Sequence, residues 1–231
     1  FQLGDVLITT FEVGGAVVVI SGLLGVPAAY ALARREFPGK RLVVLLFLLP
    51  LLVPPITFGI PLATVLYKVG FAGSLSGVIL ANLVPTVPFV ILVMIPFIEQ
   101  IDPRLEAAAR VFGAGTFRLF LHVLAPLLAP GILAALLLVL VRTIAMFELT
   151  FFTDGPTSQT LVVALYYAVY AAGVRAGQSI DEMAVVYMAT TLIWLLIALH
   201  FVHPTSPGND GAISTSPRLR REANAIHGAR L

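Results

Sequence analysis

The sequence contains no cysteine, which excludes disulfides and thiolate metal sites outright. It is also poor in charge: Asp, Glu, Lys and Arg make up 11% of its 231 residues, against roughly 25% in an ordinary soluble domain. Lysine is nearly absent, with only Lys40 and Lys68 beside twelve arginines. There is no G-x-x-x-x-G-K-[ST] phosphate loop, because Gly39-Lys40 is followed by Arg41, so any ATP must be bound elsewhere. The long apolar stretches carry no Asp or Glu and no paired Ser/His or Asp/Asp constellation, which argues against an intramembrane enzyme. The same lack, with no visible inverted repeat, weakens the alternative of a secondary transporter or channel.

What the chain has in abundance is hydrophobic side chains, at 59%. A bilayer core needs about 20 consecutive apolar residues as helix. Uncharged stretches of that length cover 13–33, 42–67, 74–98, 123–141 and 183–202. They predict an all-α, polytopic transmembrane bundle with five spans, over about 8–34, 42–67, 74–98, 124–147 and 183–202. A sixth stretch, 160–173, is too short and reads as re-entrant or interfacial. With five spans, Arg34, Arg35, Lys40, Arg41, Arg104, Arg110, Arg118 and four arginines of the tail share one side, against Lys68 and Arg175 on the other. The basic side is therefore expected to be cytoplasmic. Phe1 then lies outside without a signal-peptide pattern, so a further span is expected upstream of it. Residues 203–231, polar and rich in Gly, Pro and Ser, read as a mobile basic cytoplasmic tail.

Ser21, Gly25, Ala29 and Ala33 recur every four residues and form a small-residue ridge suited to close helix packing. The second and third spans carry Pro50, Pro54, Pro55 and Pro61, then Pro85, Pro88 and Pro96, and are expected to bend or break. Irregular backbone at membrane depth is tolerated beside protein or a water-filled cavity, so these spans either line a translocation route or kink only to fit.

The segment 99–131 is the most informative. Asp102-Pro103 is a helix-start signal, Leu105, Ala108, Ala109 and Phe112 share a face, and Gly113 and Gly115 break the helix. A second short helix is expected from Thr116 to Val123, with Phe117, Phe120 and Leu121 on one side, before Pro126 and Pro130 lead into the next span. A helix–Gly–helix loop with apolar knobs suits docking in another protein's groove. Glu106 and Arg110, four apart, can also simply pair with each other.

This loop resembles the EAA loop of the type I ABC importer permeases, the group that includes the maltose, polyamine, ferric-iron and methionine transporters. Ala108, Ala109, Gly113, Val123 and Pro126 fall in register with the family pattern. Ala107 occupies the place of the motif glutamate, with Glu106 one residue earlier, and Ala125 replaces the motif leucine. Residues 25–40 and 148–173 also resemble the family, so that the likeness covers about 8–202 in order. The resemblance implies a permease subunit with no enzymatic activity and no cofactor of its own. Its implied partners are a dimeric ATPase, a second permease subunit (identical or paired), a periplasmic or lipid-anchored solute-binding protein and membrane lipid, with no nucleic acid. Coupling to the ATPase would run through the 99–126 loop, with Glu106, Ala107, Ala108, Ala109, Arg110, Gly113, Ala114, Phe117, Val123 and Pro126 as its site residues.

Candidate pathway residues are Arg142, Glu148 and Asn82. Arg142 lies near the outer end of the fourth span, where it can also snorkel to the interface. Glu148 falls in or beside the outer loop, and six residues along a helix do not bring it onto the face of Arg142. Asn82 is equally well explained by an interhelical hydrogen bond. Tyr166, Tyr167 and Tyr170 fit an aromatic belt, and His200 with His203 makes a poor metal site. The stretch from Phe151 to Leu161 resembles the polyamine and ferric-iron branches more than the sugar branch, although a sugar or polyol stays open.

Overall fold

The computed structural model describes residues 3–170 and 177–202, and every regular element among them is a helix. The first, α1 (Leu3–Arg34), runs unbroken for 32 residues. Two shorter helices follow, α2 (Lys40–Leu52) and α3 (Pro55–Lys68), joined at a 99° bend. Proline chemistry accounts for the break. A residue before proline is pushed out of the helical region, and here two such steps follow one another: Val53 is extended at φ −81°, ψ 130°, and Pro54 at φ −55°, ψ 134°. Pro55 then opens α3, where a missing N–H costs nothing.

The next span does not break. Helix α4 (Leu75–Glu99) starts at Ser74, whose hydroxyl accepts from the Gly77 amide, and runs through Pro85, Pro88 and Pro96 without a break. Each of these prolines stands alone, and Pro85 and Pro88 are buried against neighbouring helices. Isolated prolines leave single gaps in the hydrogen-bond ladder that surrounding packing accommodates. Only a tandem pair ends the helix.

Helix α5 (Pro103–Val111) and the short α6 (Thr116–Leu119) form an elbow, and a π-helical turn at Phe120–Leu124 leads directly into α7 (Ala125–Ile144). The second loop helix is therefore the first part of one 29-residue helical run, Thr116–Ile144, rather than a separate piece. Beyond it lie α8 (Glu148–Thr153), α9 (Leu161–Tyr170) and α10 (Gly177–Val202). Ten residues of helix span only about 15 Å, so α9 agrees with a segment too short to cross. The Thr10 hydroxyl of α1 caps α9 by accepting from the Leu161 amide at 2.8 Å. Among the described residues three helical runs, α1, α4 and Thr116–Ile144, can cross a membrane by length and composition, and four can if the broken α2–α3 pair counts as one. Arg175, His203 and the tail at 203–231 lie outside the described residues.

Close contacts fix the directions. Gly25 lies against Val90 and Arg34 reaches Ile101, so α1 and α4 run the same way. Gly14 meets Leu140, Gly22 meets Leu136 and Gly131 meets Phe97, so α7 runs against both. The bundle thus has a basic end, where α1 and α4 finish, and an opposite end, where α7 finishes. Val17, Ala29, Val78, Val90, Met94, Ala135 and Val139 form the shared core of these three helices.

The small-residue ridge of α1 packs inside this chain. Ser21 and Ala29 are fully buried, and a Cβ placed on Gly25 would stand 2.7 Å from the Val90 Cβ. Gly25→Val is therefore expected to lower the thermal midpoint in detergent, at a cost of about 1–3 kcal/mol for overpacking. Gly15→Val, at a position with open space around it, should be tolerated, and Val90→Ala should restore much of what Gly25→Val loses. Unchanged melting of Gly25→Val would mean that α1 and α4 are not in tight contact.

Candidate functional site

The elbow is built by local signals. Asp102 caps α5 by accepting from the Arg104 amide at 2.9 Å, and Pro103 fills the first helical position. At the other end Gly113 adopts φ +82°. Its amide donates to the Arg110 carbonyl and the Ala114 amide to the Ala109 carbonyl. That pair of bonds closes a helix over a left-handed glycine, a conformation that costs any other residue more.

The elbow has two different faces. Val111, Phe112 and Phe117 are 85%, 90% and 77% exposed, and Leu105 and Leu121 are also open. Ala107 and Ala108 face outward with them, as does Pro126 at the start of α7. Glu106, Ala109 and Leu119 turn inward, and Ala114 and Val123 are half-buried. This corrects two face assignments. Ala109 packs against the core rather than beside Leu105 and Phe112, and Phe120 packs edge-on against Tyr30 with ring centres 6.1 Å apart rather than beside Phe117.

Glu106 is the least expected residue. It is only 5% exposed. Its Oε1 accepts from Arg34 Nε at 2.6 Å and its Oε2 from the Tyr30 hydroxyl at 2.6 Å. Arg34 also donates from its terminal nitrogen to the Ile101 carbonyl at 2.7 Å. Arg110, the partner read from spacing, is a distant third at 3.9 Å and is mostly exposed. Sequence reasoning missed Tyr30 and Arg34, which lie 76 and 72 residues away. The one available signal was a Tyr and an Arg four apart at the end of an apolar run, with a glutamate in the loop helix.

The three candidate pathway residues do not form a cluster. The Arg142 guanidinium carbon lies 5.5 Å from the Phe89 ring centre, and no carboxylate pairs with it among the described residues. Glu148 opens α8, half-buried and without an ion pair to Arg142. Asn82 is fully buried and donates to the Val78 carbonyl at 2.9 Å and to Thr150 Oγ1 at 3.3 Å, so it joins α4 to α8. That is the interhelical hydrogen bond foreseen as its simpler role.

The profile of the family described as "binding-protein-dependent transport system inner membrane component" matches residues 22–202. This chain belongs to that family. Among curated relatives, the molybdenum transport system permease protein ModB of Escherichia coli K12 is 29% identical over 208 residues, covering 83% of this chain and 90% of ModB. The molybdate/tungstate permease WtpB of Thermococcus kodakarensis is 31% identical over 171 residues, covering 74% and 68%. The trehalose permease SugB of Mycobacterium tuberculosis is 37% identical over a shorter 135 residues, covering 58% and 49%. The fold agrees: a bacterial alginate ABC importer matches with TM-score 0.66 at 19% identity over 86% of this chain and 73% of its own. The MetNI methionine ABC transporter matches with TM-score 0.65 at 18% identity over 86% and 91%. The protein is thus a membrane-embedded permease component of a binding-protein-dependent transport system, and its fold is that of ABC importer transmembrane domains.

The end of the permease opposite its elbow is aromatic. Phe147 and Phe151 stack at 5.1 Å, Tyr166 lies within 5.2 Å of both, and Tyr170 sits 4.8 Å from Tyr166. The tyrosines read as a belt are therefore packed on α8 and on each other. Beside them a cavity of about 360 Å³ is lined by Asp154, Gly155, Pro156, Gln159 and Tyr167. Burial pushes the Asp154 carboxyl up to about 6 from its ordinary 3.8. A raised folded-state value means that the protonated form is favoured by folding, so this contribution is complete below pH 4 and is lost as pH rises through 6. Thermal midpoints measured from pH 4 to 8 should therefore fall between pH 4 and 7 more steeply in the wild type than in Asp154→Asn. Parallel profiles for the two proteins would show that the carboxyl is not desolvated.

Proposed function

We propose that this permease forms the solute path of its importer and docks its ATPase through the 99–126 loop. The observation that carries the reading is the exposed apolar face of the elbow, with Val111, Phe112 and Phe117 projecting from one corner. Large apolar side chains so exposed at a loop tip are costly unless a partner covers them. Gly113 supports the same reading, since it makes the corner sharp without occupying space.

Around this elbow the chain crosses the membrane five times, by α1, the broken α2–α3 pair, α4, the 29-residue run ending in α7, and α10. The basic end and the 203–231 tail face the cytoplasm, in keeping with the arginine asymmetry. The permease pairs with a second copy or a related subunit, receives solute from a binding protein at the opposite end, and binds no cofactor of its own. Docking of the apolar corner in a cleft on the ATPase lets nucleotide-driven closure move the helices. Arg142, which makes no ion pair among the described residues, remains a path candidate, as does Glu148, whereas Asn82 has a structural role.

For the solute we favour a tetrahedral oxyanion. Relatives covering 83% and 74% of this chain are named for molybdenum and for molybdate/tungstate, and others are named for sulfate. An unpaired guanidinium suits an anion better than the polyamine suggested by the 151–161 stretch. A disaccharide is the second reading, on the shorter match to the trehalose permease.

Both halves are testable with the full chain co-expressed with its ATPase and reconstituted with its binding protein. Wild type should retain the ATPase through purification. Phe112→Glu and Gly113→Trp should weaken retention at least tenfold, since the first buries a charge in an apolar cleft and the second fills the corner. Proteoliposomes should then accumulate molybdate or sulfate in preference to trehalose and putrescine. A well-folded wild type that never holds an ATPase would sink the docking assignment, and preferential uptake of putrescine would sink the oxyanion.

A further inference from the structure

Glu106 occupies a position from which a carboxylate could have faced the ATPase, yet it points the other way. Both of its oxygens are engaged, by Arg34 and by Tyr30, and the neighbouring outward position carries only the methyl of Ala107. Counting the bond from Arg34 to the Ile101 carbonyl, three short hydrogen bonds tie together the last turns of α1, the link between α4 and α5, and the first turn of α5. Tyr30 extends the tie to the second arm of the elbow through its edge-on contact with Phe120 in the π-helical turn.

The other connections of the elbow are softer. Three residues, 100–102, lead from α4 into α5, and the elbow passes into α7 through the π-helical turn, a wider and less regular winding that often marks functional positions. Helix α1, by contrast, is one uninterrupted rod locked to α4 at Gly25 and Ala29. A push on α5 therefore meets its stiffest resistance at Glu106 and is delivered along α1.

We infer that Tyr30 and Arg34 are positioning residues for coupling: through Glu106 they clamp α5 to α1, so that the stroke of the ATPase is carried into the α1–α4 pair by a bond within this chain rather than by a contact from Glu106 to the ATPase. The inference rests on the docking role proposed for the elbow and specifies how that role reaches the membrane helices.

The test uses the complete transporter in proteoliposomes with its binding protein, and reads solute moved per ATP hydrolysed beside retention of the ATPase in a pull-down. Glu106→Gln, Arg34→Lys and Tyr30→Phe should each hold the ATPase within about twofold of wild type, since none touches the exposed corner. Transport per ATP should fall at least tenfold in Glu106→Gln and Arg34→Lys, and by a smaller factor in Tyr30→Phe, which removes one hydrogen bond and keeps the ring on Phe120. Tyr30→Phe and Arg34→Lys keep size or charge, so they serve if Glu106→Gln is too poorly folded to assay. Wild-type transport per ATP in both would overturn the clamp. So would loss of the ATPase by Glu106→Gln alone, because it would place the carboxylate at the subunit contact. A wild type that never holds an ATPase would instead remove the docking role, so the two readings fail by different results.

Discussion

The arrangement at the basic end depends on how closely α1 and α4 approach. In lipid there is no hydrophobic gain from pressing two apolar helices together, so contact relies on dispersion between well-fitted surfaces. Ser21, Gly25 and Ala29 remove bulk from one side and Val90 fills the space. The helices are stiff, at about 1.5 Å per residue, so the depth of this contact determines where the rest of α1 arrives. Tyr30 and Arg34, about one and a half and two and a half turns beyond Gly25, come level with the end of α4 and the loop that follows it. The polar clamp on Glu106 is thus set by apolar packing several turns away.

That clamp answers the electrostatic problem of a buried carboxylate. Taking a charge out of water is expensive, and a buried ion pair adds little net stability, but an incomplete one is strongly destabilising. Glu106 has a guanidinium on one oxygen and a phenol on the other, while the second arm of Arg34 is satisfied by a backbone carbonyl. Arg142 is handled differently. It lies half-buried over the Phe89 ring and makes no ion pair among the described residues, although Glu148 follows six residues later. A guanidinium tolerates such a site because an aromatic face offsets part of its lost hydration. The contrast separates a charge committed to structure from one left available.

The sequence was most legible where the signal is local. The apolar runs gave the long helices, Asp102-Pro103 gave the start of α5, and Gly113 gave its end, because caps and left-handed glycines depend on neighbours only a few residues away. Proline was legible in part. The tandem Pro54-Pro55 breaks its span as expected, whereas the isolated prolines of α4 do not; Pro85 and Pro88 are buried among neighbouring helices, and nothing in the local pattern reveals that packing. The two close partners of Glu106 were not read. Spacing offered Arg110 on the same helix, yet the bonds go to α1, and a contact over more than 70 residues leaves no periodicity to detect. The same limit explains Phe120, which shares a run with Phe117 but faces Tyr30.

The division of the elbow into an anchored face and an open face follows from where it sits. A short helix at the edge of a bundle can bury only one side, and at positions 106 and 109 that side meets the end of α1 and the core. An apolar anchor alone would hold α5 loosely in rotation, because dispersion contacts are weakly directional. Two short charge-assisted hydrogen bonds from different residues of α1 fix its rotation as well as its distance. Once rotation is fixed, the positions one residue either side of Glu106, Leu105 and Ala107, are committed to the outside, as is Phe112 further along. The direction in which the exposed phenylalanines point is therefore a consequence of how Glu106 is held. A conservative change at Glu106 leaves the apolar contacts of Ala109 with the core in place, so it weakens the link to α1 without removing the docking face.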